Sequence, residues 1–331
     1  MKLLDAVNKY RKMRELPSSD ATIPENLMLE VCDACNYCCV FCPTAIQTQK
    51  SGNIDESLCY RIIEEAHIAG VQRLSLALSG EPLVNPKLEG YISYAKNLGY
   101  DYVYANTNGF LLNAGRAETL LESGLDSLKV SINAGTRETY QLIHGVDGFD
   151  QVVDNIKYFS ERRKECKLFL SYVAIKHNRN EASIIKQLLS DYVDDILVFN
   201  AHTGGAPVDN NQLLGDDECS FVWPCGQLFN FCTISAQGYM IACCQDFYNW
   251  TVFADLNKVS FVDAWNSDAF VQFRKRHLAK DFDGTICKNC LYGANEDVVP
   301  LNATVSAYPV STKRMEDVRR RNEILSSKCK E

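Results

Sequence analysis

The sequence Cys35-Asn36-Tyr37-Cys38-Cys39-Val40-Phe41-Cys42 places four cysteines within eight residues. Three of them, Cys35, Cys39 and Cys42, have the spacing C-x3-C-x2-C. Thiolates are the usual ligands of iron–sulfur clusters, so this triad can hold three irons of a cubic [4Fe–4S] cluster and leave the fourth iron without a protein ligand. An open position on a metal centre is a place where a small molecule can bind.

The apolar run 27–31 precedes the triad and predicts a strand, which places the triad on the loop that follows it. Beyond this loop, strands are predicted at 72–78, 101–106, 127–132, 167–175 and 195–200. Helices are predicted between the strands at 54–69, 86–98, 114–124, 136–145, 149–164 and 180–191. This alternation predicts an α/β fold with a parallel sheet, curled into a partial (β/α)6 TIM-like barrel. The active site of such a barrel lies at the carboxyl ends of the strands.

The segment 203–211, which is rich in Gly, Asn and Asp, predicts a linker at the end of the barrel. We therefore expect four parts in the chain. They are an N-terminal helix and link over 1–26, the partial barrel over 27–210, a small α+β cluster-binding domain over 211–310, and a charged tail over 311–331. The tail carries three consecutive arginines at 319–321 and is expected to be a solvated helix.

The overall composition is that of an ordinary globular protein with many cysteines. The chain has 331 residues, of which 46% are hydrophobic and 15 are cysteine, and its net charge is −8. A negative charge argues against nucleic acid or an anionic membrane as a partner. Because we see neither an apolar leader nor a membrane-length apolar run, we expect a cytoplasmic protein. In that setting clustered cysteines indicate metal binding rather than disulfides.

Three further motifs follow predicted strands, at Leu78–Pro82, Tyr104–Gly109 and Val130–Ala134. Together with the triad they resemble the motifs of the radical S-adenosylmethionine (SAM) superfamily. The resemblance implies that SAM chelates the open iron through its amino and carboxylate groups. It also implies that one electron from the cluster splits the sulfonium of SAM and gives a 5′-deoxyadenosyl radical.

The same resemblance implies a set of residues around SAM. They are Phe41, Ser79, Gly80, Glu81, Asn108, Ser131 and Asn133. A glycine lets the backbone approach a ligand closely, and a carboxylate can pair with an ammonium group. The chain departs from the family where Ser79 replaces a glycine and where Asn133 replaces the common Asp. His144 is expected to be exposed or to cap a helix, and Asn178 is a further candidate near SAM.

A second set of cysteines lies in the carboxyl half. Cys225 and Cys243 enclose Gly238 in the spacing C-x12-G-x4-C, and Cys287 and Cys290 form C-x2-C. This pattern resembles the SPASM/twitch extension of radical SAM enzymes. Four ligands are enough for one auxiliary [4Fe–4S] cluster, as in the twitch-type enzyme that oxidises 2-deoxy-scyllo-inosamine in butirosin synthesis. Structural zinc is the alternative for the same four cysteines.

The resemblance leads to a first functional hypothesis: a radical SAM oxidoreductase or epimerase that acts on a sugar, an aminocyclitol or a nucleoside. Transfer of an electron to the auxiliary cluster would give a ketone, whereas a cysteine that returns a hydrogen atom would give an epimer. The candidate hydrogen donors are Cys219, Cys232 and Cys244. An electron donor such as flavodoxin or ferredoxin is expected. Two alternatives stay open: a maturase that modifies a ribosomal peptide, and a non-enzymatic scaffold that binds zinc or a cluster.

Overall fold

The computed structural model describes residues 21–48, 52–201, 223–294, 296–306 and 310–328. The predicted N-terminal helix, the predicted linker and Cys219 lie outside these ranges. Within them, no helix combines the length and the apolar character needed to cross a membrane.

One open sheet organises the described part of the chain. Its strands are β1 (Asn26–Leu29), β2 (Arg73–Ser75), β3 (Tyr102–Thr107), β4 (Ser127–Ser131), β5 (Lys167–Ala174), β6 (Asp195–Asn200), β7 (Phe231–Ile234), β8 (Tyr239–Ile241) and β9 (Ala254–Asp255). Their order across the sheet is β6-β5-β4-β3-β2-β1-β7-β8-β9. The first six strands run parallel, β7 is parallel to β1, and β8 and β9 are antiparallel additions. The predicted partial barrel is confirmed, and its sheet does not close.

The first six helices connect successive parallel strands of the barrel, and the other five follow β6. They are α1 (Glu56–Ile68), α2 (Leu88–Leu98), α3 (Ala114–Glu122), α4 (Arg137–His144), α5 (Phe149–Arg162), α6 (Ala182–Leu189), α7 (Gln227–Asn230), α8 (Phe261–Trp265), α9 (Asp268–Leu278), α10 (Ile286–Tyr292) and α11 (Thr312–Lys328). All six predicted strands and the six predicted helices of the barrel are present. β2 ends three residues before its predicted limit, because the chain turns there so that Ser79 can donate its backbone N–H to the Glu30 carboxylate.

The two faces of the sheet differ in polarity, since successive side chains of a strand point to opposite sides. On the outer face, Leu27, Leu74 and Leu128 are no more than 1% exposed. Burial of each leucine contributes roughly 1.5–3 kcal/mol to folding. The inner face carries Met28, Ser75, Tyr104, Lys129, Ser131 and Ser171. The convex side of the barrel is thus an apolar core. The concave side is polar over β3 and β4, whereas β5 and β6 add Phe169, Val173, Leu197 and Phe199 to it.

The carboxyl half continues the barrel sheet. β7 pairs with all of β1, so that Leu29 lies opposite Ile234 at the last position. Above this part of the sheet, the guanidinium of Arg274 lies 4.0 Å from the ring centroid of Trp265 and 3.7 Å from that of Phe270. All three side chains are fully buried. The domain boundaries that the sequence suggests stay a prediction.

The C-terminal tail forms the predicted helix, but one face of this helix is buried rather than solvated. α11 packs against α4 and against the 3-10 turn Pro43–Ile46, which directly follows the cysteine triad. Its Val318, Arg321 and Leu325 are 8%, 6% and 2% exposed. These positions are three and four residues apart and form one face of the helix, while most charged residues of the tail lie on the opposite face.

Candidate active site

The triad lies on the loop between β1 and the turn Pro43–Ile46. All three of its cysteines are partly exposed, and the Cys42 N–H donates to the Cys39 carbonyl at 3.1 Å. Burial raises the pKa of the Cys39 thiol well above its usual range, and the neighbouring Cys42 and Cys35 raise it further. Thiols that influence one another in this way are close together, and they would be deprotonated on binding a metal centre.

His144 contacts the triad, although the sequence predicts an exposed or capping histidine. It is 1% exposed, and its Nδ1 lies 3.1 Å from Cys39 Sγ. Its Nε2 lies 3.0 Å from the Ile132 carbonyl oxygen. Because a carbonyl can only accept, Nε2 carries the hydrogen and Nδ1 accepts from the thiol. Burial lowers the pKa of His144 to about 4, so the imidazole is neutral at pH 7.

The other two cysteines contact the ends of β2 and β3. Cys42 Sγ lies 2.9 Å from the Thr44 hydroxyl, which lies 3.4 Å from the Ser79 carbonyl oxygen. On the other side, the side-chain amide of Asn108 donates to Asn36 at 2.8 Å, and its nitrogen lies 4.0 Å from Cys35 Sγ. The structure therefore brings two of the predicted SAM-binding positions to the triad.

Gly80 packs directly against the backbone of the loop that carries the triad. A Cβ at this position would lie 2.2 Å from the Cys32 oxygen, 2.7 Å from the Asp33 carbonyl carbon and 2.8 Å from the Ala34 oxygen. All three are backbone atoms, so no side-chain rotation can relieve the contacts. Glycine is required here because two backbone segments touch.

We expect Gly80→Ala to displace the triad loop and to lower the free energy of unfolding by about 1–3 kcal/mol, which is typical of overpacking. Urea unfolding of the apoprotein measures this change. Gly115→Ala in α3 is the matched control, because its Cβ would meet only Asn113 Oδ1 at 3.7 Å. The control should be neutral or stabilising by up to about 1 kcal/mol. Equal stability of the two variants would contradict the role given to Gly80.

Glu81 connects the ends of β2 and β3. Its carboxylate accepts from the Thr107 hydroxyl at 2.6 Å, from the Asn108 N–H at 2.7 Å and from the Leu83 N–H at 3.0 Å. Burial raises the pKa of the Glu81 carboxyl, and these three donors oppose the rise. The carboxylate thus holds the loop that presents Asn108, and its pairing with the SAM ammonium stays a prediction.

The remaining predicted SAM-binding residues lie at the ends of β1, β4 and β5. Ser131 shares a hydroxyl–hydroxyl hydrogen bond of 2.9 Å with Ser171, and Phe41 packs at the edge of the core. Asn133 has a φ of 49° and accepts from the Val173 N–H at 2.7 Å. Asn178 is 1% exposed and donates to the Asn133 carbonyl at 2.8 Å, so both asparagines brace the backbone at this edge.

Glu30 is a site residue that the sequence analysis did not single out. Its carboxylate accepts from the backbone and the hydroxyl of Ser79 and, at 3.0 Å, from the Ala236 N–H. It therefore links the carboxyl ends of β1, β2 and β7, and burial raises its pKa. Glu30 could have been identified from the sequence because it is a carboxylate within an apolar strand, and such a group needs buried donors.

The structure also brings the second cysteine set together. Cys225 precedes α7, Cys243 follows β8, and Cys287 and Cys290 lie one turn apart on α10. Burial raises the pKa of Cys243 well above its usual range, and each of the other three cysteines raises it further. Asp246 holds the loop after Cys243, because its carboxylate accepts from the N–H groups of residues 250 and 251, both at 2.8 Å.

The three candidate hydrogen donors differ in position. Cys232 is fully buried in the outer core on β7, so the prediction that it faces a substrate is wrong. Cys244 lines a small polar cavity of about 20 Å³ together with Glu30, Ser79 and Ser235. Cys219 lies outside the described residues. Cys244 is therefore the candidate that the structure places beside the barrel mouth.

Each cysteine set fits an iron–sulfur cluster by its donor chemistry and surroundings. Cys35, Cys39 and Cys42 would hold one cluster, and a cavity of about 440 Å³ adjoins Cys35. This volume is within the range of ligand pockets, but none of the predicted SAM-binding residues lines the cavity. The later cysteines that would hold a second cluster are Cys225, Cys243, Cys287 and Cys290. In the described ranges no three His, Cys, Asp or Glu side chains are arranged to hold a single metal ion.

Comparison with known families agrees with this arrangement. The model of the Radical SAM superfamily matches residues 29–188, and that of the SPASM iron–sulfur cluster-binding domain matches residues 225–291. Together they span more than half of the chain, and each contains one of the two cysteine sets. Fold and site define an iron–sulfur protein built on a partial barrel. The chain belongs to the radical SAM superfamily and carries a SPASM/twitch-type extension.

Three individual proteins illustrate the similarity of this chain to known proteins in sequence or in structure. A probable GTP 3′,8-cyclase of Saccharolobus solfataricus is 30% identical over 182 residues, which are 55% of this chain and 58% of that protein. The match thus spans little more than half of that relative. The structure of BtrN in complex with AdoMet and 2-DOIA has a TM-score of 0.56 at 19% identity and covers 87% of this chain and 96% of that chain. Streptococcus suis SuiB bound to precursor peptide SuiA has a TM-score of 0.65 at 16% identity, covering 92% and 79%. At these identities the structures show the fold.

Proposed function

We propose that this protein is a radical SAM oxidoreductase or epimerase that acts on a small polar metabolite, such as a sugar, an aminocyclitol or a nucleoside. When bound, a [4Fe–4S] cluster supplies the electron that splits SAM into methionine and a 5′-deoxyadenosyl radical, and an auxiliary cluster can accept an electron from the substrate. The chain's own residues then orient the substrate carbon and exclude water.

One observation carries the proposal: Cys244, the residue after Cys243, lines the same cavity as Glu30 and Ser79. Glu30 follows β1, the strand that leads to the triad, and Ser79 follows β2. Gln47 ties the two segments together, because its side-chain amide donates to the Phe247 carbonyl at 2.9 Å. This arrangement supports a site in which the loop after Cys243 meets the carboxyl ends of β1 and β2, the end of the barrel that carries the triad.

The polarity of the concave face over β3 and β4 supports a polar substrate. Tyr104, Asn106, Lys129 and Ser131 lie on this face at neighbouring strand positions, with Asn106 opposite Lys129. A ligand with several hydroxyl or amide groups can satisfy such donors and acceptors, whereas an apolar ligand would leave them unpaired. The name of the Saccharolobus relative is consistent with a nucleoside or nucleotide.

Hydrogen donation by Cys244 would decide between epimerisation and oxidation to a ketone. A thiol at this position can donate a hydrogen atom to a substrate carbon radical, which makes a new C–H bond and leaves a thiyl radical. One electron from the electron donor, such as flavodoxin or ferredoxin, and one proton from solvent then restore the thiol. Without this step, the substrate radical loses one electron and one proton and becomes a ketone. Burial raises the pKa of the Tyr104 phenol and Cys244 raises it further, so Cys244 and Tyr104 are neighbours at the concave face.

Modification of a ribosomal peptide is the second candidate. It is favoured by the fold similarity to SuiB, whose structure was solved with a precursor peptide and whose TM-score of 0.65 exceeds the 0.56 of BtrN.

Reconstituted protein should first be tested for 5′-deoxyadenosine with SAM and dithionite under anaerobic conditions. Sets of nucleosides, sugars, aminocyclitols and peptides are then added separately. We expect one small-metabolite set to raise 5′-deoxyadenosine and to yield either a product that lacks two hydrogens or, in D₂O, a deuterated epimer. Stimulation by peptides alone would replace the metabolite hypothesis with the maturase.

Replacement of Cys244 by Ser should separate oxidation from epimerisation. If the product is an epimer, we expect Cys244→Ser to keep 5′-deoxyadenosine formation but to abolish deuterium incorporation from D₂O, because the hydroxyl O–H is too strong to give up its hydrogen. The measurement is mass spectrometry of the product beside wild type. Undiminished deuterium incorporation in the variant would exclude Cys244 as the donor.

A further inference from the structure

Arg321 of α11 is buried, whereas the arginines beside it are exposed. Its side chain is 7% exposed, compared with 83% for Arg319 and 73% for Arg320. Burial of a guanidinium is costly unless its N–H groups are paired. The buried guanidinium of Arg321 must therefore be paired by hydrogen-bond acceptors nearby.

The guanidinium joins two segments of backbone at the triad. Nη2 donates to the Cys38 carbonyl at 2.7 Å, and Nη1 donates to the Leu142 and Ile143 carbonyls at 3.1 and 3.4 Å. Nε donates to the Asp317 carboxylate at 3.0 Å, one turn earlier on the same helix. The planar fork of arginine can reach all of these acceptors at once, which a lysine cannot do.

The same two segments are already paired with each other. The Cys38 N–H donates to the His144 carbonyl at 3.1 Å, and the Val40 N–H donates to the Ile143 carbonyl at 2.9 Å. Cys39 lies between these two bonds, with its thiol against the His144 ring. Arg321 thus holds the backbone before this triad cysteine together with the segment that pairs with it.

The residue after α4 leaves space for this guanidinium. A Cβ on Gly145 would lie 3.0 Å from Nη1 and 3.2 Å from Cζ of Arg321, and Gly145 has a φ of 74°. The positive charge also lies beside the triad, because Nη2 donates to the carbonyl of Cys38, the residue before Cys39. A cation beside a cysteine favours negative charge on its sulfur and on any group bound to it.

We propose that Arg321 is a positioning residue for the triad, which fixes the Cys38–Val40 backbone and makes a cluster bound there easier to reduce. The inference rests on the proposed function, since it requires a cluster on the triad. Reduction adds a negative charge, and net charge and hydrogen bonds near the sulfurs set the potential of iron–sulfur clusters. Hydrogen bonds beyond the ligands also hold the ligands in place.

The test compares Arg321→Met, Arg321→Gln and Arg321→Lys with Arg320→Met as the control, all in the full-length chain. After anaerobic reconstitution, the midpoint potential is measured by EPR-monitored titration of the signal that changes when SAM is added. Iron retention is measured during exposure to a chelator. We expect more negative midpoints for Arg321→Met and Arg321→Gln and a several-fold faster loss of iron from Arg321→Met. Arg321→Lys should keep a midpoint close to wild type, and Arg320→Met should match wild type throughout.

If Arg321→Met fails to fold, Arg321→Gln tests the effect of the charge on the midpoint potential, because glutamine removes the charge but retains donors for the carbonyls. An unchanged midpoint in the folded uncharged variants would overturn the inference. A wild-type protein whose EPR signal does not respond to SAM would instead refute the proposed function, so the two failures can be distinguished.

Discussion

Cys39→Ala should reduce 5′-deoxyadenosine formation to the background of the assay, a loss of several orders of magnitude. Cys39 is the central member of the C-x3-C-x2-C triad, and two thiolates leave a second iron of the cluster without a ligand. The variant should also contain about four fewer irons per chain after reconstitution, because a [4Fe–4S] cluster is gained or lost as a unit. The measurements are iron content and 5′-deoxyadenosine by chromatography, both on protein purified under anaerobic conditions.

Cys38→Ala is the matched control, since it removes the adjacent thiol and leaves the triad intact. Its Sγ lies 3.6 Å from the Ala45 carbonyl oxygen and contributes only a weak hydrogen bond. We expect Cys38→Ala to keep the iron content and most of the 5′-deoxyadenosine formation of wild type. The assignment of the triad would be wrong if Cys39→Ala remained active at a near wild-type rate while Cys38→Ala was inactive.

The parts of this fold that could be predicted depend on local sequence. Leu27 and Leu29 alternate with Met28, and this short period is enough to identify β1. The helices of the barrel follow from apolar spacing in the same way. The triad is also local, because its three ligands lie within one short loop. For these features, neighbours in sequence are neighbours in space, so a pattern of residue types contains most of the information.

The contacts that sequence reasoning missed join distant positions. His144 is 105 residues from Cys39, and Arg321 is 283 residues from Cys38. A histidine at the end of a helix and an arginine in a charged tail are usually solvated, so their types alone suggest exposure. Only the packing of α4 and α11 against the triad loop shows that both are buried. Similarly, Glu81 and Asn133 have the expected positions, but their hydrogen bonds to neighbouring strands could not be read from a motif.

Cys243→Ala should remove the auxiliary cluster and leave the cluster on the triad in place. Cys225, Cys287 and Cys290 all raise the pKa of the Cys243 thiol, so Cys243 lies close to the other three proposed ligands. Its removal should therefore prevent assembly of the auxiliary cluster. We expect about eight irons per chain in wild type and about four in Cys243→Ala. The variant should still form 5′-deoxyadenosine, because the triad is intact, but it should not release oxidised product, since the electron acceptor is lost.

Cys244→Ala is the control for iron content, because it removes the neighbouring thiol and leaves all four proposed ligands in place. It should contain about eight irons, as in wild type. Zinc analysis of the same samples tests the alternative that the four cysteines hold structural zinc. If wild type held about four irons and one zinc, and Cys243→Ala lost only the zinc, the carboxyl half would be structural. Oxidation would then need another electron acceptor, and hydrogen return from Cys244 would become the better account of the chemistry.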